Sequence, residues 1–242
     1  MQLLLVTDLD NTLVGDDDAL LRLNQLLSTH RDRLYLIYAT GRSYLSARRL
    51  QARQQLLEPD YWVTGVGTEI YQNDVRDSHW ADRLSQHWDQ QAAAAIAALF
   101  PELIPQESTE QNPWKLSFIL RSDDAEAIVA ALRSKLEQSG LAAQVIFSSS
   151  EDVDIVPKSG DKGLAMTHLR ELLQMPPDRT LVCGDSGNDI SLFQQSTLGV
   201  IVSNAQPELL AWHRQFGQSQ HYLARSRCAG GILEALQYFE LL

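Results

Sequence analysis

The strongest constraint on this chain is an alternation of strand-like and helix-like segments that stops once and then resumes. Leucine-rich and β-branched runs at residues 3–6, 34–39 and 61–64 bracket helical patterns at 19–28 and 43–57. A β-α-β-α-β order built on such apolar runs predicts a parallel sheet with right-handed crossovers. The pattern then changes to a helix over 84–100, a strand over 115–120, a helix over 123–139, and a strand pair at 144–148 and 152–156. Strands joined by a polar turn and covered by helices predict a separate antiparallel α+β unit. Alternation returns with a helix over 162–173, strands at 180–183 and 199–202, and helices at 207–216 and 231–239. The expected fold is α/β, a doubly wound, mainly parallel Rossmann-like core with a smaller inserted α+β domain. The core takes residues 1–80 and 159–242 and the insert 81–158, with joints near 79–82 and 157–160.

In an open parallel sheet, ligands sit beyond the carboxyl ends of the strands. Four such ends here carry polar chemistry. Directly after the first strand comes Asp8-Leu9-Asp10-Asn11-Thr12. Residues two apart on an extended chain face the same side, so Asp8 and Asp10 can address one ligand. Two carboxylates this close repel unless a cation or proton intervenes, which lets one act as nucleophile and the other carry a proton. Ala39-Thr40-Gly41-Arg42 joins a hydroxyl and a glycine to a helix start, a site for an anion. Lys162 begins a helix after Gly160 and Asp161, where its charge opposes the helix dipole and asks for an anionic partner. Gly184-Asp185-Ser186-Gly187-Asn188-Asp189 puts two acids and an amide on a strand-end loop, suited to a hard cation such as magnesium. Taken singly, these are ordinary turns, helix caps with Ser43 among them, or a solvated lysine. Together they supply nucleophile, proton carrier, anion cradle, cation and metal ligands at one end of one sheet.

Charge and composition narrow the partners. Thirty-one acidic against twenty basic residues give a net charge of −11, which argues against nucleic acid. A phosphorylated ligand must then be held by local positive charge. The apolar stretch 91–100 is shorter than the ~20 residues of a membrane span. Cys183 reads as a strand-core residue, and with Cys228 it forms neither a metal pattern nor a disulfide framework. The sequence opens on a strand with no leader pattern, so the expectation is a cytoplasmic protein without membrane attachment.

D-L-D-N-T, A-T-G-R, D-K-G and G-D-S-G-N-D, in this order, resemble the haloacid dehalogenase-like phosphatases, with the insert where that family carries its larger α+β cap. The resemblance implies Asp8 as nucleophile toward phosphorus. Asp10 then protonates the leaving oxygen and later deprotonates water. It implies magnesium on Asp8, the backbone carbonyl of Asp10 and Asp185, supported by Asp189. Thr40, Gly41, Lys162 and Asn188 would hold the phosphoryl oxygens. Five local stretches carry a finer resemblance to the sucrose-phosphate phosphatases of cyanobacteria and plants. These are Y-A-T-G-R-S-Y at 38–44, G-T-E-I-Y at 67–71, Q-N-P-W-K at 111–115, S-S-S-E-D-V-D-I-V-P at 148–157 and N-A-Q-P-E-L-L at 204–210. That resemblance implies a monomeric, magnesium-dependent hydrolase of sucrose 6-phosphate, the final step of sucrose biosynthesis. Alternatives are another sugar phosphate (trehalose 6-phosphate, mannosyl phosphoglycerate, a hexose phosphate) or a non-catalytic module that binds sucrose-phosphate synthase.

A sugar asks for polar groups that bond hydroxyls. Glu69, in a glycine-flanked loop past the third strand, and Lys115, at the start of an insert strand, are the first candidates, with Arg42 and Ser43 behind them. Glu69 also reads as a surface glutamate in a hairpin, and Lys115 as an exposed strand-edge lysine. His79, Trp80, His87 and Trp88 read as hinge packing or surface. Asp152 and Asp154 read as one polar strand face, solvated or lining the interdomain cleft. His213 and His221 read as surface residues.

Overall fold

The computed structural model describes residues 2–242. The first part of the chain runs β1 (Leu3–Thr7), α1 (Asp17–Thr29), β2 (Leu34–Ala39), α2 (Tyr44–Gln54), β3 (Tyr61–Thr64), β4 (Glu69–Gln72), β5 (Val75–Arg76) and α3 (Ser78–Ser85). It continues with α4 (Gln90–Ala97), β6 (Ile104–Pro105), β7 (Leu116–Ile119), α5 (Ala125–Gln138), β8 (Ala143–Ser148) and β9 (Asp152–Pro157). The last part is α6 (Lys162–Leu172), β10 (Thr180–Gly184), α7 (Ile190–Phe193), β11 (Leu198–Ile201), α8 (Pro207–Phe216), β12 (His221–Leu223) and α9 (Cys228–Tyr238).

Eight strands form one sheet in the order β12-β11-β10-β1-β2-β3-β4-β5, parallel from β12 to β3 and closed by the antiparallel β4 and β5. Alternate residues of β1 enter different cores. Leu3 and Leu5 pack with Leu23 of α1, Leu50 of α2 and Ile232 of α9. Leu4 and Val6 pack with Met166 of α6, Leu192 of α7 and Leu209 of α8. Both faces of the strand are covered, which is why its sequence reads as a continuous apolar run. Four further strands form a second, antiparallel sheet, β6-β7-β9-β8, with its own core of Val153, Ile155, Leu132 of α5 and Ala93 of α4. Cys183 lies fully buried in β10, as the apolar run indicates. Among the described residues no helix is long and apolar enough to cross a membrane.

Three expectations change. The helix foreseen over 84–100 is broken in two. His87 adopts a left-handed φ of 63°, and Asp89 caps the second piece by accepting from the Ala92 amide at 2.9 Å. Glu69 stands in a strand, not in a loop. The extra pair β4–β5 turns at Asn73-Asp74, whose φ values of 50° and 62° are those of a tight two-residue hairpin. His221 is buried, against Phe193, Trp212 and His213, because the edge strand β12 turns its ring under α8.

Gly67, with φ +100°, ties the third strand end to the start of α6: a Cβ there would lie 2.1 Å from the Asp161 carbonyl carbon. Trp80 reinforces the joint by donating to the Gly67 carbonyl at 3.0 Å. Gly67→Ala is expected to destabilise the fold by about 2–5 kcal/mol, adding left-handed strain to overpacking. Urea unfolding checks this, and an unchanged midpoint would mean that the two segments are not clamped together.

Candidate active site

Sheet order reverses at β1. Successive strands run to β2 and β3 on one side and to β10, β11 and β12 on the other. A crevice opens at such a reversal, beyond the strand ends. Asp8 follows β1 there and Asp185 follows β10, while the Asp8 amide donates to the Cys183 carbonyl at 3.0 Å and holds the two ends together.

Lys162 enters this fork from the first turn of α6. It is fully buried, and its three ammonium hydrogens meet Asp8 Oδ1 at 2.7 Å, Asn188 Oδ1 at 2.6 Å and Asp189 Oδ1 at 2.7 Å. Every donor of the group is thus satisfied. Burial alone would depress its pKa, but Asp189 and Asp8 raise it, so the ammonium stays charged. Asp189 is committed on both oxygens, its Oδ2 accepting from the Asp185 amide at 2.9 Å and the Ser186 amide at 3.1 Å. Thr12 donates to Asp185 Oδ1 at 2.8 Å.

Asp8, Asp185 and Asp189 can bring one oxygen each within 4.8 Å of one another, all buried. Three carboxylates facing the single Lys162 leave two negative charges unbalanced. The strain is visible in the acidities of Asp8 and Asp185. Burial pushes the Asp8 carboxyl well up, Lys162 opposing and Asp189 and Asp185 adding to the rise. Burial and then Asp189 push Asp185 up to about 7. A divalent cation matches this donor set in hardness and in charge. Asp8 and Asp185 keep oxygens free to hold it, with Asp189 in support because its own oxygens are engaged.

Asp10 turns away from the triad into a two-pronged pair with Arg42, Nε to Oδ2 at 2.6 Å and Nη2 to Oδ1 at 2.8 Å. The hydrogen bond to Asp10 holds the Arg42 guanidinium firmly protonated. Thr40 is buried and takes the Arg42 amide on its hydroxyl at 3.2 Å. Gly41 passes close to Asn188, whose Nδ2 would lie 3.4 Å from a Cβ there. Ser43 stands at the N-cap of α2, just before Tyr44, but its side chain makes no capping hydrogen bond. Its amide donates to Glu110 Oε2 at 3.3 Å, across to the inserted segment.

Part of this set lines a cavity of about 420 Å³ whose far wall is the second sheet, while the buried Lys162 and Asp189 are not among its lining. Asp8, Asp10, Thr40, Gly41, Arg42, Lys115, Asp185 and Asn188 all border it. Lys115 is buried, not on an exposed edge, with Nζ 3.4 Å from Asp154 Oδ1 and 3.5 Å from the Gly41 carbonyl. Glu69 and Ser43 lie elsewhere, in an adjoining cavity of about 620 Å³ that shares Ser46, Glu110 and Lys115 with the first. Burial raises the Glu69 carboxyl, eased by the hydrogen bond from Tyr71 at 3.2 Å. Gln106, Glu110, Ser117 and Ser148 also border the first cavity and were not foreseen. Asp152 and Asp154 join them, so the cleft-lining side of their strand reading holds. Gln106, Glu110 and Ser117 lie within five residues of Q-N-P-W-K at 111–115, and that proximity was the one signal the sequence offered for them.

A family model for sucrose-6F-phosphate phosphohydrolase matches residues 1–240. A solved sucrose-phosphatase from Synechocystis sp., in complex with sucrose and phosphate, is 53% identical over 99% of this chain and 98% of its own, with a TM-score of 0.97. Sucrose-phosphatase 2 of Nicotiana tabacum is 39% identical over 99% of this chain, and the chain spans 60% of that relative's length. Mannosylfructose-phosphate phosphatase of Agrobacterium fabrum is 33% identical over 98% of this chain and 97% of its own. With its two-sheet fold and its acids and lysine at the β1–β10 fork, the chain belongs to the sucrose-6F-phosphate phosphohydrolase family.

Proposed function

We propose that this chain hydrolyses sucrose 6-phosphate to sucrose and phosphate, with magnesium, through a phosphoryl ester on Asp8. The observation that carries the reading is the charged Lys162 against Asp8 at 2.7 Å, beside two more buried acids, in a chain matched by the family model over residues 1–240. The Synechocystis relative with sucrose and phosphate supports the substrate.

A carboxylate oxygen of Asp8 attacks phosphorus, and the phosphorus–oxygen bond to the sugar breaks. Asp10 gives a proton to the departing oxygen. It then takes one from the water that opens the phosphoryl ester and frees Asp8. Both Asp10 oxygens accept from Arg42 in this structure, so Asp10 carries the proton once that two-pronged pair parts and the carboxyl turns to the phosphoryl group. Lys162, Thr40, Gly41 and Asn188 cradle the phosphoryl oxygens. Magnesium would be held by Asp8, the Asp10 carbonyl and Asp185 with Asp189 behind them, and when bound it neutralises charge on the phosphoryl oxygens. Residues 81–158 act as a cap. Lys115 on the cap, with Arg42, Ser43 and Glu69 on the core, meets the sugar hydroxyls. We assign the protein to the cytoplasm as a monomer, with docking on sucrose-phosphate synthase an addition to catalysis and not a substitute for it.

One observation favours a second substrate. The Agrobacterium phosphatase matches this chain over nearly its whole length, so mannosylfructose phosphate belongs in the comparison. Phosphate release is measured across sucrose 6-phosphate, mannosylfructose phosphate, trehalose 6-phosphate and hexose phosphates. Sucrose 6-phosphate is expected to lead in kcat/KM, and equal turnover of any other would overturn the substrate assignment. Asp8→Asn is expected to lower kcat by about 10⁴-fold or more while the protein stays folded by circular dichroism. Retained activity would remove the nucleophile from the scheme. Magnesium is expected to raise the thermal midpoint, by about 2.7 kcal/mol of added stability at a hundredfold excess over Kd. Asp185→Asn should abolish that shift. A midpoint that ignores magnesium in the unsubstituted protein would deny the ion its place.

A further inference from the structure

The stretch N-A-Q-P-E-L-L leaves one charged side chain without a part in this chemistry. Glu208 stands in the first turn of α8, behind Pro207, and does not border the catalytic cavity. One oxygen, Oε1, accepts from two backbone amides: Ser149 of the β8–β9 hairpin at 2.9 Å and Gly187 of the strand-end loop after β10 at 3.2 Å. The first belongs to the inserted segment and the second to the loop that carries Asp185 and Asn188. We propose that Glu208 is a positioning residue for the reaction, a latch that holds the inserted domain down over the cavity and registers it on the Asp185–Asp189 loop.

Three features support the latch. Ser149 and Ser150 both take left-handed φ values, 54° and 59°, which serine seldom adopts, so the hairpin tip is held in a bent form that aims the Ser149 amide outward. A Cβ on Gly187 would meet the Phe147 carbonyl oxygen at 2.3 Å, so glycine lets β8 descend onto the loop. The carboxylate itself sits at a helix N-terminus, where negative charge is favoured. The opposite rim of the cavity is joined differently. There the insert meets the core through Glu110 on Ser43 and Lys115 near the Gly41 carbonyl, groups that line the cavities and respond to whatever fills them. Asn112 on Thr68 and Gln144 on the Gly160 carbonyl also cross between insert and core, but Glu208 joins the hairpin tip to the Asp185–Asp189 loop through a carboxylate that borders neither cavity, so it biases the resting population of the closed form. Removing it makes a cap-dependent ligand bind more weakly in proportion to that population.

The inference rests on the sugar-phosphatase reading for its kinetic arm and stands apart from it in its distance arm. Spin labels are placed on Gln25→Cys of α1 and Glu126→Cys of α5, both exposed, in the full chain, where Cys183 and Cys228 are buried. Pulsed dipolar distances are then read with and without sucrose. Glu208→Ala is expected to widen the resting distance and to raise KM for sucrose 6-phosphate about tenfold with kcat within about twofold. Its hydrolysis of p-nitrophenyl phosphate, which offers the cap no sugar hydroxyls, should change by less than about twofold. Glu208→Gln keeps the accepting oxygen and should restore the resting distance and KM. Gly187→Ala should widen the distance with Glu208 intact. A resting distance unchanged in Glu208→Ala overturns the latch, whatever Gly187→Ala does. So does a Glu208→Gln protein as open as Glu208→Ala. If sucrose 6-phosphate proves not to be a substrate, the function fails while the resting distances still decide the latch.

Discussion

The structure turns on an imbalance of buried charge. Three carboxylates converge where β1 and β10 part, and one lysine answers them. Such a cluster is costly away from water unless every polar atom is bonded and the surplus charge is met. The surroundings meet most of the first condition, with three acceptors for Lys162, two backbone amides for Asp189 and a hydroxyl for Asp185, and leave one oxygen each on Asp8 and Asp185. The second condition asks for a cation, and under the proposed function that cation, with Lys162, also receives the phosphoryl group. Stability and chemistry therefore draw on one set of atoms.

That cluster is assembled from segments far apart in the chain, and the sheet does the assembling. Asp8 and Asp185 end adjacent parallel strands in register, and α6 delivers Lys162 from the face packed by Met166 and Leu169. The β1 run has no polar residue before Thr7 because both faces are covered. Polar side chains begin where the sheet ends, so the boundary between core and site is also the boundary between apolar and polar sequence.

This explains which parts could be read from the sequence. Asp8, Thr40, Lys162 and Asp185 were legible because each lies directly beyond an apolar strand or at a helix start, and local pattern places such residues. The partnership of Arg42 with Asp10 was not, since it depends on how two loops lean toward each other. Glu110, Gln106 and Ser148 were missed for a related reason. They face the cavity only because the second sheet docks over it, and no local period encodes docking. The break between α3 and α4 was written in Asp89 as a cap, but the alanine-rich run that follows outweighed it. The tight turn at Asn73-Asp74 was likewise available and passed over. His221 reads as polar and exposed until tertiary packing claims its ring for the Phe193 and Trp212 cluster.

The clamp between Gly67 and Asp161 has a mechanical consequence. Chain returning from the second sheet leaves β9 at Pro157 and enters α6 at Lys162, so the pivot of any swing lies almost at the lysine itself. Displacement grows with distance from a pivot and vanishes at it. The rim at Ser149 can travel while Lys162, its backbone packed against Gly67 and its ammonium held by Asp8, Asn188 and Asp189, stays put. Large motion at the mouth and stillness at the buried lysine are thus two ends of one lever arm.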